Sequence, residues 1–186
     1  MIEKRVVRAW LSLGSNVDPR RQIGDALSAL RQRFGELVIS PIYESQAVGF
    51  NGDNFHNLVV GIETELQASE LVRVLRQIET AQGRVRGREK FAPRPLDIDL
   101  LTYGDCIIDE DGVQVPREEI LRYAFVLLPL SEVAPNERHP IDGRTYRQLW
   151  AGFDATGQSL WRVQEASGAR APDVPSVESE LSRAGE

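Results

Sequence analysis

Apolar positions along residues 5–103 alternate between a period of two and a period near 3.6, and each switch marks a boundary between elements. Arg5–Leu13 is rich in Val, Trp and Leu and reads as a strand, broken by Gly14-Ser15-Asn16. Asp18-Pro19 then supplies a helix start, with Asp as N-cap and Pro at the first helical position. Ile23, Ala26, Leu27 and Leu30 recur at helical spacing as far as Phe34, and Gly35 ends the helix. Leu37–Tyr43 has the β-branched content of a second strand, Ser45–Asn54 is a loop, and Phe55–Glu65 alternates as a third strand. Ser69–Ala81 forms a second helix with Leu71, Val72, Leu75 and Ile78 on one face. Asp97–Tyr103 is a fourth strand, with Leu96, Ile98 and Leu100 turned away from Asp97 and Asp99.

The order β-α-β-β-α-β predicts an α+β protein with a ferredoxin-like core. Its antiparallel sheet would carry two helices on one face and leave the other open to ligands or to later segments. Beyond Gly104, Ile107-Ile108 and Val113–Val115 suit a hairpin around Asp109–Gly112. Ala124–Ala134 suits a helix despite Pro129, and Thr145–Trp150 a shorter one. From Gln164 onward large apolar residues are scarce and Ala, Ser, Pro and Glu dominate. One domain over 1–163 and a disordered tail over 164–186 are therefore expected.

Composition narrows the classes. The chain has 186 residues, 41% hydrophobic and 27% charged, as ordinary globular domains do. A net charge of −6 argues against a broad nucleic-acid surface. The lone Cys106 allows no internal disulfide and suits a reducing cytoplasm. No apolar run is long enough to span a bilayer, and the first residues carry no signal-peptide core. Two histidines and one cysteine make a zinc site a poor fit.

Against that acidic background, the stretch from Arg84 to Leu100 stands out. Arg84, Arg86, Arg88, Lys90 and Arg94 face a single anion, Glu89, before Asp97 and Asp99 follow one residue apart. Two carboxylates at this spacing share one face of a strand. Mg²⁺ takes one or two carboxylates together with substrate phosphates, and Arg neutralises the remaining phosphate charge with a planar fork. Gly83 and Gly87 would let a basic flap move, while Pro93 and Pro95 stiffen the approach to Asp97 and fix Arg94. A solvated charged loop beside a polar sheet face is the plainer alternative. Phe55, Phe91 and Phe125 would ordinarily be core residues, Asn57 an edge or turn residue, and Gly14-Ser15-Asn16 a strand-to-helix turn.

The motifs, taken in order, resemble those of the 6-hydroxymethyl-7,8-dihydropterin pyrophosphokinase family over about residues 6–150. The matching segments are L-S-L-G-S-N at 11–16, Tyr43-Glu44-Ser45 with Val48-Gly49, and Phe55-His56-Asn57. They continue with Ile78-Glu79 and Gly83-Arg84-Val85-Arg86, then Ala92-Pro93-Arg94 and Leu96-Asp97-Ile98-Asp99. Phe125-Val126-Leu127, Pro129-Leu130 and Ala134-Pro135 close the series. The resemblance implies transfer of pyrophosphate from ATP to the pterin hydroxymethyl group, releasing AMP, in folate biosynthesis. It implies that Asp97 and Asp99 hold two Mg²⁺ ions and that Arg84 and Arg94 contact the phosphates. Phe55 and Phe125 would sandwich the pterin, Asn57 would bond its edge, and Ser45 and Val48 would line its pocket. Glu79, Leu100, Arg117 and Arg122 would lie on the ATP side. A cytoplasmic monomer, with no nucleic-acid or membrane partner, is implied.

Several positions depart from the family pattern. Arg117 follows Val115-Pro116 where the family usually has His, and Tyr123 stands where it usually has Arg, with Arg122 just before it. Phe91 replaces a frequent Trp, Phe55 a frequent Tyr, and Ser45-Gln46 a frequent Thr-Pro. Other readings remain open: a different two-metal phosphotransfer enzyme that releases pyrophosphate, or a paralogue that binds pterin or nucleotide without turnover.

Overall fold

The computed structural model describes residues 5–48, 52–82 and 96–164. The expected basic flap and the expected tail beyond residue 164 lie outside them. The elements run β1 Val7–Ser15, α1 Pro19–Phe34, β2 Val38–Ile39, β3 Tyr43–Ser45, β4 Phe55–Thr64, α2 Ala68–Ala81 and β5 Asp97–Tyr103. Then come β6 Ile108–Glu110, β7 Val113–Val115, α3 Glu119–Arg122, α4 Ala124–Val133, α5 Tyr146–Ala151 and β8 Leu160–Arg162. The main sheet is antiparallel, ordered β5-β1-β4-β3-β8, with β2 also on β4; β6 and β7 form a separate hairpin. This is the predicted ferredoxin-like arrangement with an added edge strand.

Alternation along the strands divides the core into two layers. Ala9, Leu11, Leu13, Leu58, Val60, Ile62, Ile98 and Leu100 pack against Ile23, Ala26 and Leu30 of α1 and Leu71 and Leu75 of α2. On the opposite face, Trp10, Val59 and Leu101 pack against Ile120, Val126, Leu127, Leu130 and Leu149 from α3, α4 and α5. The face expected to be left for ligands or later segments is thus partly covered by the later segments. A register shift of β1 against β5 at Trp10/Leu11 adds one residue to β5, so that Tyr103 packs in the first layer opposite Ala9 while Leu101 stays in the second with Trp10.

The elements differ from expectation in several places, among them the short helix α3 and Ser45, which ends β3 instead of opening a loop. Gly14 and Ser15 belong to β1, because Ser15 still pairs with His56 and Gly14 with Asn57. Asp18 makes no capping bond; it adopts a left-handed conformation (φ 43°), and α1 begins at Pro19. The expected second strand splits at Ser40-Pro41, where proline has no N–H for a ladder. Ser40 bridges the gap: its Oγ accepts from Val59 N at 2.9 Å, and its own N–H donates to Val59 O at 3.0 Å. The short strand β8 was not anticipated. It joins β3, and Val163 N donates to Ile42 O at 2.9 Å just beyond it.

Trp10 shows how tightly the second layer is built. Its indole lies over Gly61 of β4, its cross-strand partner, and Nε1–H donates to Glu137 Oε2 at 2.7 Å. A Cβ on Gly61 would stand 2.6 Å from Trp10 Cζ3. Gly61→Ala should therefore destabilise the fold by about 1–3 kcal/mol, the range for overpacking a core. A lower urea midpoint is the expected result, and an unchanged midpoint would show that the indole moves aside freely.

Candidate active site

Strand register assembles the site. Gly14 of β1 pairs with Asp97 on one side and Asn57 on the other, and Asn57 pairs in turn with Tyr43. In the next row Ser12 lies between Asp99 and Val59. Period-two alternation puts Asp97, Asp99, Ser12, Gly14, Phe55, Asn57, Tyr43 and Ser45 on the face opposite α1 and α2. Gly14 has a specific task there: a Cβ would lie 3.2 Å from Asn57 Oδ1 and 3.9 Å from the Phe55 ring.

Asn57 is only 5% exposed. Its Nδ2 donates to Ser45 Oγ at 2.9 Å, and more weakly to Phe55 O at 3.4 Å, which fixes the amide plane. Phe55, next to this pair, is half-buried. Phe125, in the first turn of α4, is also half-buried and stacks on Tyr123, with ring centroids 5.0 Å apart and planes 14° from parallel. Pro129, one helical turn on, has no N–H to give the Phe125 carbonyl. The helix bearing Phe125 is tied to β3 by Tyr43, whose hydroxyl is 3.0 Å from both oxygens of Glu132. Val48, beyond the end of β3, is 58% exposed.

Asp97 is half-buried and the Asp99 side chain is 52% exposed. Between them, the Ile98 N–H donates to Glu79 Oε1 at 2.7 Å. Glu79 is buried and so braces the strand segment that carries both aspartates. The Arg117 guanidinium donates to both carboxylate oxygens of Glu119, at 2.6 and 3.1 Å, and stands 3.7 Å from Asp99 Oδ1. Its backbone N–H donates to Leu101 O at 2.9 Å, which docks it on β5. Burial works against its charge, but Asp99 and Glu119 outweigh that and push its pKa up.

Beside Asp99 opens a cleft of about 350 Å³. Val72, Leu75, Ile98, Leu100, Val113 and Val115 give it apolar walls, and Arg76, Glu79, Thr80, Gln114 and Arg117 give it polar edges. Glu79, Leu100 and Arg117 are thus brought together as a group, next to one of the two aspartates. Arg122 is not. It pairs with Glu118 at 2.8 Å and lines a separate hollow with Leu121, Leu127, Arg144, Leu149 and Phe153. Arg84 and Arg94 lie outside the described residues. Sequence reading missed Gly14, Tyr43, Arg76, Thr80 and Glu119; only Gly14 and Tyr43 carried a signal, inside motifs read for other reasons.

A family model described as 7,8-dihydro-6-hydroxymethylpterin-pyrophosphokinase matches residues 10–135. The chain is 38% identical over 157 residues to the 2-amino-4-hydroxy-6-hydroxymethyldihydropteridine pyrophosphokinase of Pseudomonas aeruginosa, covering 82% of this chain and 95% of that protein. It is 36% identical over 156 residues to the like-named protein of Methylorubrum extorquens, covering 82% and 97%. Its fold is similar to that of Plasmodium falciparum HPPK-DHPS crystallised with pterin and p-hydroxybenzoate, with a TM-score of 0.64 at 15% identity. That match covers 81% of this chain but 44% of the longer one, and at that identity it speaks to fold alone.

The Tyr43–Glu132 link gives a pH test. Burial, and then the Glu132 hydrogen bond, push the Tyr43 phenol up to about 12. An unfolded tyrosine titrates near pH 10, so the folded state favours the neutral phenol. The stability this group contributes is complete below about pH 10 and is lost as pH rises toward 12. The unfolding free energy of the wild type should fall more steeply over that window than that of Tyr43→Phe. Parallel curves would show that Tyr43 is not held in this way.

Proposed function

This chain belongs to the 7,8-dihydro-6-hydroxymethylpterin-pyrophosphokinase family, and we infer that it transfers the pyrophosphoryl group of ATP to 6-hydroxymethyl-7,8-dihydropterin in folate biosynthesis. The hydroxymethyl oxygen attacks the β-phosphorus, forming a carbon–oxygen–phosphorus link. The bond from that phosphorus to the α,β-bridging oxygen breaks, AMP departs with that oxygen, and the hydroxyl proton is released. Such transfers depend on positioning and on stabilising charge more than on a strong base.

The single observation that supports the assignment of parts is the transverse row Asp97–Gly14–Asn57. It sets a carboxylate pair beside a buried, fixed amide and the Phe55 ring on one sheet face. We assign Phe55, Asn57 and Phe125, with Ser45 and Val48, to the pterin. The heterocycle is flat with polar edges, so an aromatic face and a fixed amide suit it. We assign Glu79, Leu100 and Arg117 to the ATP side, since they border the cleft beside Asp99. Its apolar walls suit a purine, and Arg117 directs positive charge toward the triphosphate. Arg84 and Arg94 are proposed as further phosphate contacts. Arg122 is left out, because its guanidinium serves Glu118 at a different hollow.

Two Mg²⁺ ions are proposed at Asp97 and Asp99. The donor set fits: both groups are oxygen ligands, both are partly open to solvent, and they share a face. Among the described residues no cluster of three or more His, Cys, Asp or Glu could hold a metal unaided, so ATP oxygens would complete the shell. When bound, the ions neutralise the triphosphate and lower the pKa of the attacking hydroxyl. Glu79 holds the Ile98 amide and with it the angle between the two aspartates. No helix among the described residues is long and apolar enough to cross a membrane.

The test is AMP formation, followed by chromatography with Mg-ATP and the hydroxymethyl-dihydropterin. Asp97→Asn and Asp99→Asn should each lower the rate at least about a hundredfold. Arg117→Ala should raise the KM for Mg-ATP about tenfold, the loss of a charged hydrogen bond. Undiminished turnover in both aspartate variants would refute the metal assignment, and pyrophosphate in place of AMP would move the protein to another reaction class.

A further inference from the structure

On the other face of the same strands, the carboxylate of Glu44 gathers hydrogen bonds from two separate segments. Asn54 Nδ2 donates to Oε1 at 2.8 Å, and Trp161 Nε1 donates to Oε2 at 3.1 Å. The His56 imidazole stands 3.9 Å from Oε2. Glu44 is the middle residue of β3, paired with His56 of β4 on one edge and with Trp161 of β8 on the other. The Asn54 bond, above all, holds the Glu44 carboxyl below its usual range, so it is ionised at neutral pH.

The neighbours of these residues are the pterin-side groups. Ser45 follows Glu44, Phe55 follows Asn54, and Asn57 follows His56, each pointing to the opposite face. Ser45 Oγ sets the Asn57 amide, so the position of β3 sets the pocket edge. With three residues, β3 is too short to hold that position alone, and without β8 it would be a bare edge. Trp161 remains 42% exposed, so its indole contributes through the directed N–H bond as well as by burial. The ATP cleft is built on β5, α2 and the β6–β7 hairpin; β1 and β4 separate β5 from β3.

We propose that Glu44 and Trp161 form a clamp that positions Ser45, Phe55 and Asn57, making the C-terminal strand β8 a support of the pterin subsite and not of the ATP subsite. The proposal rests on the pyrophosphokinase reading. Trp161→Phe is the sharpest variant, because it removes the N–H donor and keeps an aromatic ring. Calorimetry would measure the Kd of the hydroxymethyl-dihydropterin in the presence of Mg²⁺ and α,β-methylene ATP, which cannot be cleaved at the reacting bond, and the Kd of that nucleotide alone.

The pterin Kd should rise about three- to tenfold in Trp161→Phe, with the nucleotide Kd unchanged. Glu44→Ala should weaken pterin more, and adding Trp161→Phe to it should cost nothing further, because the two share one interaction. An unchanged pterin Kd in both single variants, or equal weakening of both ligands, would overturn the clamp. If the wild type binds no pterin, the activity reading fails, and amide hydrogen exchange at Tyr43–Ser45 and Phe55–Asn57 decides the clamp separately. Faster exchange in Trp161→Phe supports it, and identical exchange rejects it.

Discussion

The interior strand β1 is hydrogen-bonded along both edges, to β4 and to β5, and its register brings Gly14 between Asp97 and Asn57. Side chains alternate with a period of two, so a slip of one residue in either pairing would send that strand's site residues to the α1 and α2 face. The apolar alternation of Ala9, Leu11 and Leu13, matched by Leu58, Val60 and Ile62, forbids such a slip because it would expose the core. The packing that makes the fold stable is therefore also what aligns the carboxylates with Asn57 and Phe55. At the crossing point glycine avoids a tight approach, since a Cβ would stand 3.2 Å from the Asn57 Oδ1 and in contact with the Phe55 ring.

Two kinds of support surround this row. Buried polar groups set angles: Glu79 takes the Ile98 amide between the aspartates, and Ser45 takes the Asn57 amide. Longer-range pairs tie whole elements together, with Tyr43–Glu132 joining β3 to α4 and Arg117 joining the segment before α3 to β5. Arg117 sits within reach of both Asp99 and Glu119 and so offers a permanent positive charge beside the aspartates where the wider family usually has an imidazole. That difference gives this chain a cation whose charge does not depend on pH near neutrality.

Much of the fold was legible because it rests on periodicity and on strong punctuation. The ranges of α1, β4, α2 and β5 follow from apolar spacing, Pro19 and Gly35. What was missed depends on contacts distant in sequence. The split at Ser40-Pro41 is stabilised by Val59, and β8 exists because β3 offers it an edge, so neither has a local signature. The site shows the same division. Asp97 and Asp99 announce themselves by spacing, and Asn57 and Phe55 by resemblance. Arg122 and Arg117 look interchangeable as nearby cations, and only the placement of α3 separates their surroundings. Glu44 resembles an ordinary strand carboxylate until Trp161, far along the chain, is seen to reach it.

The claim that the sheet register unites metal and pterin sites can be measured by paramagnetic relaxation with Mn²⁺ in place of Mg²⁺, in the presence of α,β-methylene ATP. Gly14 is one strand and Asn57 two strands from Asp97, or about 5 and 10 Å. Val7 and Thr64 lie at the opposite end of the same strands, about 20 Å away along β1. Strong broadening of the Gly14 and Asn57 amide signals is expected, with far weaker broadening at Val7 and Thr64. Equal broadening at both ends, or stronger broadening at Val7 and Thr64, would contradict it.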